Sequence, residues 1–193
     1  MIVEQPLFIA NSYSKEHCVK SFAKAFNRCF ADYQVILKPG AEEPFYQAPS
    51  ASNRLAIIFS TKDYFSSALH EIAHWCIAGS KRRKQDDYGY WYEPDGRSEQ
   101  QQALFYHVEA KPQALEWAFS LAAGIDFRLS LDNLDNQTSE EQQLLFRDKV
   151  YEQLVTYFKH GFPARSSKVI QLLSTLYRFN HPIQRPQKSS CLI

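Results

Sequence analysis

Several features are scarce or missing in this sequence, and each absence excludes a class of protein. No apolar run approaches the ~20 residues that a bilayer-spanning helix needs, so we expect no membrane partner. The four cysteines have no CxxC spacing, which excludes a cysteine-based zinc or disulfide framework. Lys and Arg number 22 against 21 for Asp and Glu, so the strongly basic surface of a general nucleic-acid-binding protein is absent.

The first residues also lack a secretory signal. Residues 1–14 contain Glu4 before any basic residue, and no positively charged segment is followed by an apolar one. We therefore expect a cytoplasmic protein. In a reducing compartment, Cys18, Cys29 and Cys76 are expected to be inert packing residues, because free cysteine is usually buried.

The length and the hydrophobic pattern predict one α+β domain covering residues 1–193. A chain of 193 residues with 45% hydrophobic side chains can bury one sizeable core. We expect a loop at 39–52, a helix end at Gly79, and a break at Pro112, because proline removes an amide donor. Helices are predicted at 14–30, 61–78, 98–123, 139–160 and 167–179, and strands at 33–38, 125–131 and 54–60, the last buried on both faces.

The motif that carries chemistry is H-E-x-x-H on the second predicted helix. His70 and His74 are four residues apart, so both imidazoles lie on one face of the helix and can bind one metal ion. Glu71 projects from a neighbouring direction and can reach the surroundings of that ion. The alternative is a solvated polar face, but this helix is apolar nearly all round, and buried histidines need partners.

A third metal ligand has to come from elsewhere in the chain. Ile77 replaces the glycine of the metzincin continuation, and with Met1 as the only methionine no Met-turn can form. Our choice is Glu109, which lies in an apolar helical stretch next to Pro112. His107 and Glu116 are the rivals, although Glu116 lies two helical turns from Glu109.

Two histidines and one carboxylate do not specify the metal. Zinc hydrolases use this set with the motif glutamate, here Glu71, as general base, whereas non-haem Fe(II) oxygenases use it as a facial triad with open positions for dioxygen. Composition and spacing alone favour a zinc metallopeptidase. A metal-free binding module that retains the motif is the third possibility.

A longer pattern changes this preference. It comprises SALHEIAHWCIAG at 67–79, YGYWY and PDGR within 88–97, VE, KPQAL and W within 108–117, and DNL at 132–134. Together these segments closely resemble the bacterial elongation factor P hydroxylase family. The resemblance implies oxygen-dependent hydroxylation of the elongation factor P lysine that already carries an attached β-lysine. It also implies a zincin-like metal site on the H-E-x-x-H helix, packed against a small β-sheet.

The resemblance assigns roles to the candidate site residues. The metal ligands would be His70, His74 and Glu109. One divalent metal ion is expected, Fe(II), with molecular oxygen as co-substrate, because hydroxylating an unactivated C–H bond requires a redox metal with an open position. Glu71 would be a catalytic residue that orients a ligand or transfers a proton, and elongation factor P would be the protein partner.

Three further groups of residues each have a functional and a structural interpretation. The basic run at 81–84 either docks an acidic partner or forms a solvated turn at a helix end. Four acids either bind the amines of the modified lysine or belong to ordinary loops, and four aromatic residues either line a channel or fill the core. The acids are Asp86, Asp87, Glu93 and Asp95, and the aromatic residues are Tyr88, Tyr90, Trp91 and Tyr92.

Overall fold

The computed structural model describes residues 17–89, 99–131 and 139–193. Within these ranges, the order of elements is helix, three strands, then four helices, which is a mixed α+β arrangement. The helices are α1 (Val19–Cys29), α2 (Phe65–Ile77), α3 (Glu99–Ala123), α4 (Glu140–His160) and α5 (Ala164–Tyr177). The strands are β1 (Val35–Ala41), β2 (Phe45–Gln47) and β3 (Ala56–Thr61).

The three strands form one small mixed sheet in the order β1-β3-β2. Strand β1 runs parallel to β3, and β2 runs antiparallel to it. In β3, Ala56, Ile58 and Ser60 are buried and alternate with partly exposed residues, so the prediction that both faces are buried is wrong. The loop predicted at 39–52 is also wrong in part, because it contains the end of β1 and all of β2, a strand too short to show a sequence period.

A guanidinium group, and not a glycine, holds the C-terminal end of α2. The helix ends at Ile77, close to the predicted end at Gly79, but Gly79 has no left-handed backbone and so does not form a glycine cap. Arg165 instead donates hydrogen bonds to the carbonyl oxygens of Cys76 at 3.0 Å and Ala78 at 2.7 Å. These bonds satisfy carbonyl groups that have no partner within the helix. A residue from α5 thus fixes the end of the helix that carries the histidines.

Helix α3 continues through Pro112, so the predicted break is wrong. Proline removes a single amide donor, and the packing of α3 against α2, α4 and α5 compensates for that loss. After the proline, Ala114, Leu115 and Ala118 have no exposed surface. Residues before and after Pro112 therefore lie on one continuous helix.

Helix α4 starts with the capping box that the sequence predicts. The amide of Gln142 donates to Ser139 Oγ at 3.2 Å, and the amide of Ser139 donates to Gln142 Oε1 at 3.3 Å. The helix ends before Gly161, as expected. The strand predicted at 125–131 is not formed, and that segment makes an isolated bridge between Arg128 and Leu192.

Two clusters of buried apolar residues meet at α3. One joins α3 to α1, α2, α5 and the sheet, and the other joins α3 to α4.

Cys18 is exposed, so its predicted packing role is wrong, whereas burial raises the pKa of the Cys76 thiol to about 12 and keeps it protonated. None of the helices in the described residues has the length and apolar character needed to cross a membrane.

Candidate metal centre

His70 and His74 face the same side of α2, one turn apart, and apolar packing fixes the direction of that face. Ala68, Leu69 and Ile72, on the other side of the helix, have no exposed surface. The Nε2 atoms of the two histidines are 3.1 Å apart, and their side chains are 23% and 13% exposed. The four-residue spacing therefore produces the pair that the sequence predicts.

Glu109 meets this pair from α3 and is only 3% exposed. Its Oε1 atom lies 3.4 Å from Nε2 of His74, and its Oε2 atom lies 3.6 Å from Nε2 of His70. One donor atom from each of the three residues lies within 4.8 Å of the other two. The three predicted ligands thus come together where α2 contacts α3, while their role in binding a metal stays a prediction.

Glu116 contacts the opposite side of His70. Its Oε2 atom is 2.8 Å from His70 Nδ1. An ionised carboxylate can only accept, so His70 Nδ1 donates, and in the neutral ring it is Nε2 that has the lone pair and faces His74 and Glu109. Glu116 is a rival ligand in the sequence, but it is not part of the donor group in the described residues. It is placed to fix the orientation of one member of that group.

The donor set fits a metal ion. Ligands about 2.1 Å from one ion are about 3.0 Å apart in octahedral geometry and about 3.4 Å apart in tetrahedral geometry. The two Nε2 atoms are 3.1 Å apart. The contacts with Glu109 are 3.4 Å from His74 Nε2 to Oε1 and 3.6 Å from His70 Nε2 to Oε2, so they involve both carboxylate oxygens. Two imidazoles and a carboxylate suit both zinc and non-haem Fe(II). A carboxylate on the far ring nitrogen, as Glu116 provides for His70, is the usual support of a metal-binding histidine.

The charges around His70 favour a cation at this point. Burial by itself lowers the pKa of His70, but the hydrogen bond and charge of Glu116, with the charges of Glu109 and Glu71, outweigh burial and raise the pKa to about 10. A metal cation bound by Nε2 of His70 would meet the same attraction from these carboxylates.

Glu71 lines a cavity of about 1130 Å³ that opens onto the donor group. Burial raises the pKa of its carboxyl, and the charges of His70 and His74 oppose that effect. A carboxyl with a raised pKa can hold a proton, which suits Glu71 to acid–base chemistry. We call this space the acidic cavity, after its acidic residues Glu43, Glu71, Asp86, Asp87, Glu109, Glu116 and Asp126.

A second cavity of about 930 Å³ adjoins the acidic cavity at His74 and Tyr88, which line both. We call it the basic cavity. His107 is exposed there and does not belong to the donor group of the described residues, so it is not brought to the candidate metal site. The basic cavity is lined by Lys81, Arg82, His107 and Lys111.

The basic run at 81–84 is divided between structural and exposed roles. Arg82 donates a hydrogen bond to the carbonyl oxygen of Tyr88 at 3.0 Å. Arg83 is half-buried and donates one to the carbonyl oxygen of Ala78. Lys81 is exposed and lines the basic cavity. Docking of an acidic partner is therefore a possible role only for Lys81 and Arg82, the part of the run that lines the basic cavity.

Asp86 and Asp87 line the acidic cavity, as binding of the substrate amines would require, and they also have a structural role. Asp86 accepts a hydrogen bond from the amide of Ala48 at 2.8 Å, and Asp87 accepts one from Tyr46 at 2.9 Å. They thereby join β2 to the short helical turn at Asp86–Gly89. Their contact with substrate amines stays a prediction.

The other candidates lie outside the described residues: Glu93, Asp95, Tyr90, Trp91, Tyr92 and the 132–134 motif.

Comparison with known proteins bears on the chemistry of this site. A family model described as elongation factor P hydroxylase matches residues 25–187. The elongation factor P lysine hydroxylase of Haemophilus influenzae is 43% identical over 163 residues, which cover 84% of this chain and 90% of that protein. The chain belongs to the elongation factor P hydroxylase family.

The region matched by the hydroxylase family includes the donor group and two residues, Glu116 and Tyr88, that the sequence gives only as alternatives, a rival ligand and a channel-lining or core aromatic. Glu116 has a signal in the sequence, because a second glutamate in the apolar part of α3 needs a polar partner. Tyr88 is 4% exposed and lines both cavities. Its position depends on a left-handed backbone, at φ 59°, for which the local sequence has no signal.

Proposed function

We propose that this protein is a non-haem iron hydroxylase that modifies the lysine of elongation factor P that carries an attached β-lysine. The observation that carries the proposal is the His70, His74 and Glu109 donor group in a member of the elongation factor P hydroxylase family. The name of the Haemophilus influenzae relative specifies a lysine hydroxylase. Three protein ligands leave open positions at a metal, as an oxygenase requires.

Each residue of the site has a distinct task in this reaction. His70, His74 and Glu109 would hold Fe(II), which would supply the redox chemistry that hydroxylation with dioxygen requires. One oxygen atom enters a C–H bond of the substrate, and the other leaves as water, with two electrons and two protons from an external reductant. Glu116 holds the ring of His70 in place, and Glu71 holds or delivers a proton in the acidic cavity.

The two cavities suit a cationic side chain on a protein substrate. Asp86 and Asp87 line the acidic cavity and would attract the ammonium groups of the lysylated side chain. The basic cavity beside it would meet an acidic part of elongation factor P. We expect neither nucleic acid nor membrane as a partner and a cytoplasmic location. We also propose a single domain for residues 1–193 and a zincin-like relation of α2 to the sheet.

A zinc metallopeptidase is the second candidate, and the position of Glu71 in the acidic cavity favours it. In a peptidase this glutamate is the general base for water, so Glu71→Gln would keep the metal and lose hydrolysis. In a hydroxylase Glu71→Gln keeps the metal and lowers turnover only through proton delivery or ligand orientation. The test measures metal content and product formation for the wild type and this variant.

The outcomes of this test separate three functions. Stoichiometric iron, with partial hydroxylation by Glu71→Gln, supports the proposal. Tightly bound zinc, with peptide cleavage that the variant loses, supports the peptidase. No bound metal under any loading condition supports a binding module that retains the motif.

A further inference from the structure

Tyr88 is held from several sides beside the donor group. Its ring stacks on Tyr46, with centroids 4.1 Å apart and planes 16° apart, and lies parallel to the ring of His74 at 6.3 Å. Its carbonyl oxygen accepts a hydrogen bond from Arg82 at 3.0 Å. The ring therefore has little freedom to move, and its position relative to His74 is well defined.

The backbone at Tyr88 adopts a conformation that bulky residues seldom adopt. Asp87 and Tyr88 have φ angles of 46° and 59°, in the left-handed region. The hydrogen bond between the Asp87 carboxylate and the Tyr46 amide holds this turn against β2. Strained backbone conformations are concentrated at functional sites, where the surrounding contacts maintain them. The strain at Tyr88 therefore indicates that its side chain has a functional position.

The hydroxyl group of Tyr88 is buried and has no hydrogen-bond partner among the described residues. The neighbouring Tyr46 differs, because its hydroxyl donates to the carbonyl oxygen of Arg83 at 2.9 Å. A buried polar group without a partner is costly and uncommon in folded proteins. Because Tyr88 lines both cavities, a ligand bound in them can bring the partner that its hydroxyl lacks.

We propose that the Tyr88 hydroxyl donates a hydrogen bond to a carbonyl oxygen of the substrate, namely the oxygen of the amide that joins β-lysine to the target lysine. This inference rests on the proposed function. The carboxylates of the acidic cavity can bind ammonium groups, but ionised carboxylates cannot donate to a carbonyl oxygen. An unmodified lysine has no carbonyl at that position. Tyr88 is therefore a substrate-contacting residue that distinguishes lysylated from unmodified elongation factor P.

The test is Tyr88→Phe, which removes one oxygen atom and keeps the stacked ring. The matched control is Tyr106→Phe: Tyr106 also has a buried hydroxyl without a partner among the described residues, but it stacks on Phe146 and lines neither cavity. Calorimetry on the metal-loaded full chain measures the Kd for elongation factor P with and without β-lysine. Metal content, melting temperature and oxygen gain by the wild type are recorded alongside.

We expect Tyr88→Phe to weaken binding of lysylated elongation factor P about tenfold, with unchanged affinity for the unmodified form and unchanged metal content. Tyr106→Phe should match the wild type. Wild-type affinity of Tyr88→Phe for the lysylated form, or equal weakening for both forms, overturns this inference alone when the wild type adds oxygen. A wild type that neither adds oxygen nor prefers the lysylated form overturns both the proposed function and this contact.

Discussion

At the scale of single residues, the central expectation concerns the donor group. Alanine at His70, His74 or Glu109 should lower metal occupancy, because each change removes one of three converging donor atoms. The control is His107→Ala, because that exposed histidine is outside the donor group of the described residues and should leave occupancy unchanged. Elemental analysis of purified proteins measures the effect. Full occupancy in Glu109→Ala would remove Glu109 from the ligand set.

Glu116 should affect the metal only through His70. Glu116→Ala removes the acceptor at 2.8 Å from Nδ1, and loss of such a partner typically costs about 10- to 100-fold in metal affinity. Glu116→Gln should recover part of that loss, because its amide oxygen can still accept. Glu152→Ala, an exposed acid on α4, is the control. Metal titration that gives Glu116→Ala the wild-type Kd would contradict this role.

At the scale of elements, local signals predict the helices well and the strands poorly. The capping box at Ser139 and the glycine at 161 define both ends of α4, because their effects are local. The end of α2 is held by the hydrogen bond from Arg165 to the carbonyl oxygen of Cys76. These two residues are 89 positions apart in sequence, so no local pattern predicts their contact. Strand β2 is likewise defined by its pairing with β3 and by carboxylates from a later turn.

The basic cavity leads to a prediction about docking. If it meets an acidic surface of elongation factor P, the double variant Lys81→Glu/Lys111→Glu should slow association and weaken its dependence on salt, because exposed charges are screened within about 8 Å at physiological ionic strength. Lys24→Glu/Arg28→Glu changes the same charge on the exposed face of α1 and is the control. Stopped-flow measurements at several salt concentrations provide the rates.

An association rate in Lys81→Glu/Lys111→Glu that equals the wild-type rate would contradict docking at the basic cavity. Equal slowing by the α1 control variant would also contradict it, because the effect would then follow net charge and not position.

At the scale of the whole molecule, the sequence predicts the α+β class and the three residues that converge at the site. The H-E-x-x-H spacing is local, so the histidine pair follows directly from helix geometry. Glu116 and His70 are 46 residues apart, and their contact exists only after α3 packs on α2. Glu116 and Glu109 lie two turns apart on α3 and are not interchangeable, but one imidazole has two nitrogens, so His70 can contact both carboxylates.

The proposed hydroxylation is tested most directly by the mass of the modified peptide of elongation factor P after reaction. The full chain is supplied with Fe(II), a reductant, dioxygen and β-lysylated elongation factor P, and the peptide is analysed by mass spectrometry. We expect the gain of one oxygen atom with wild-type protein and no gain with His74→Ala. Cleavage of a peptide bond, or an unchanged mass with iron bound and the substrate fully lysylated, would contradict it.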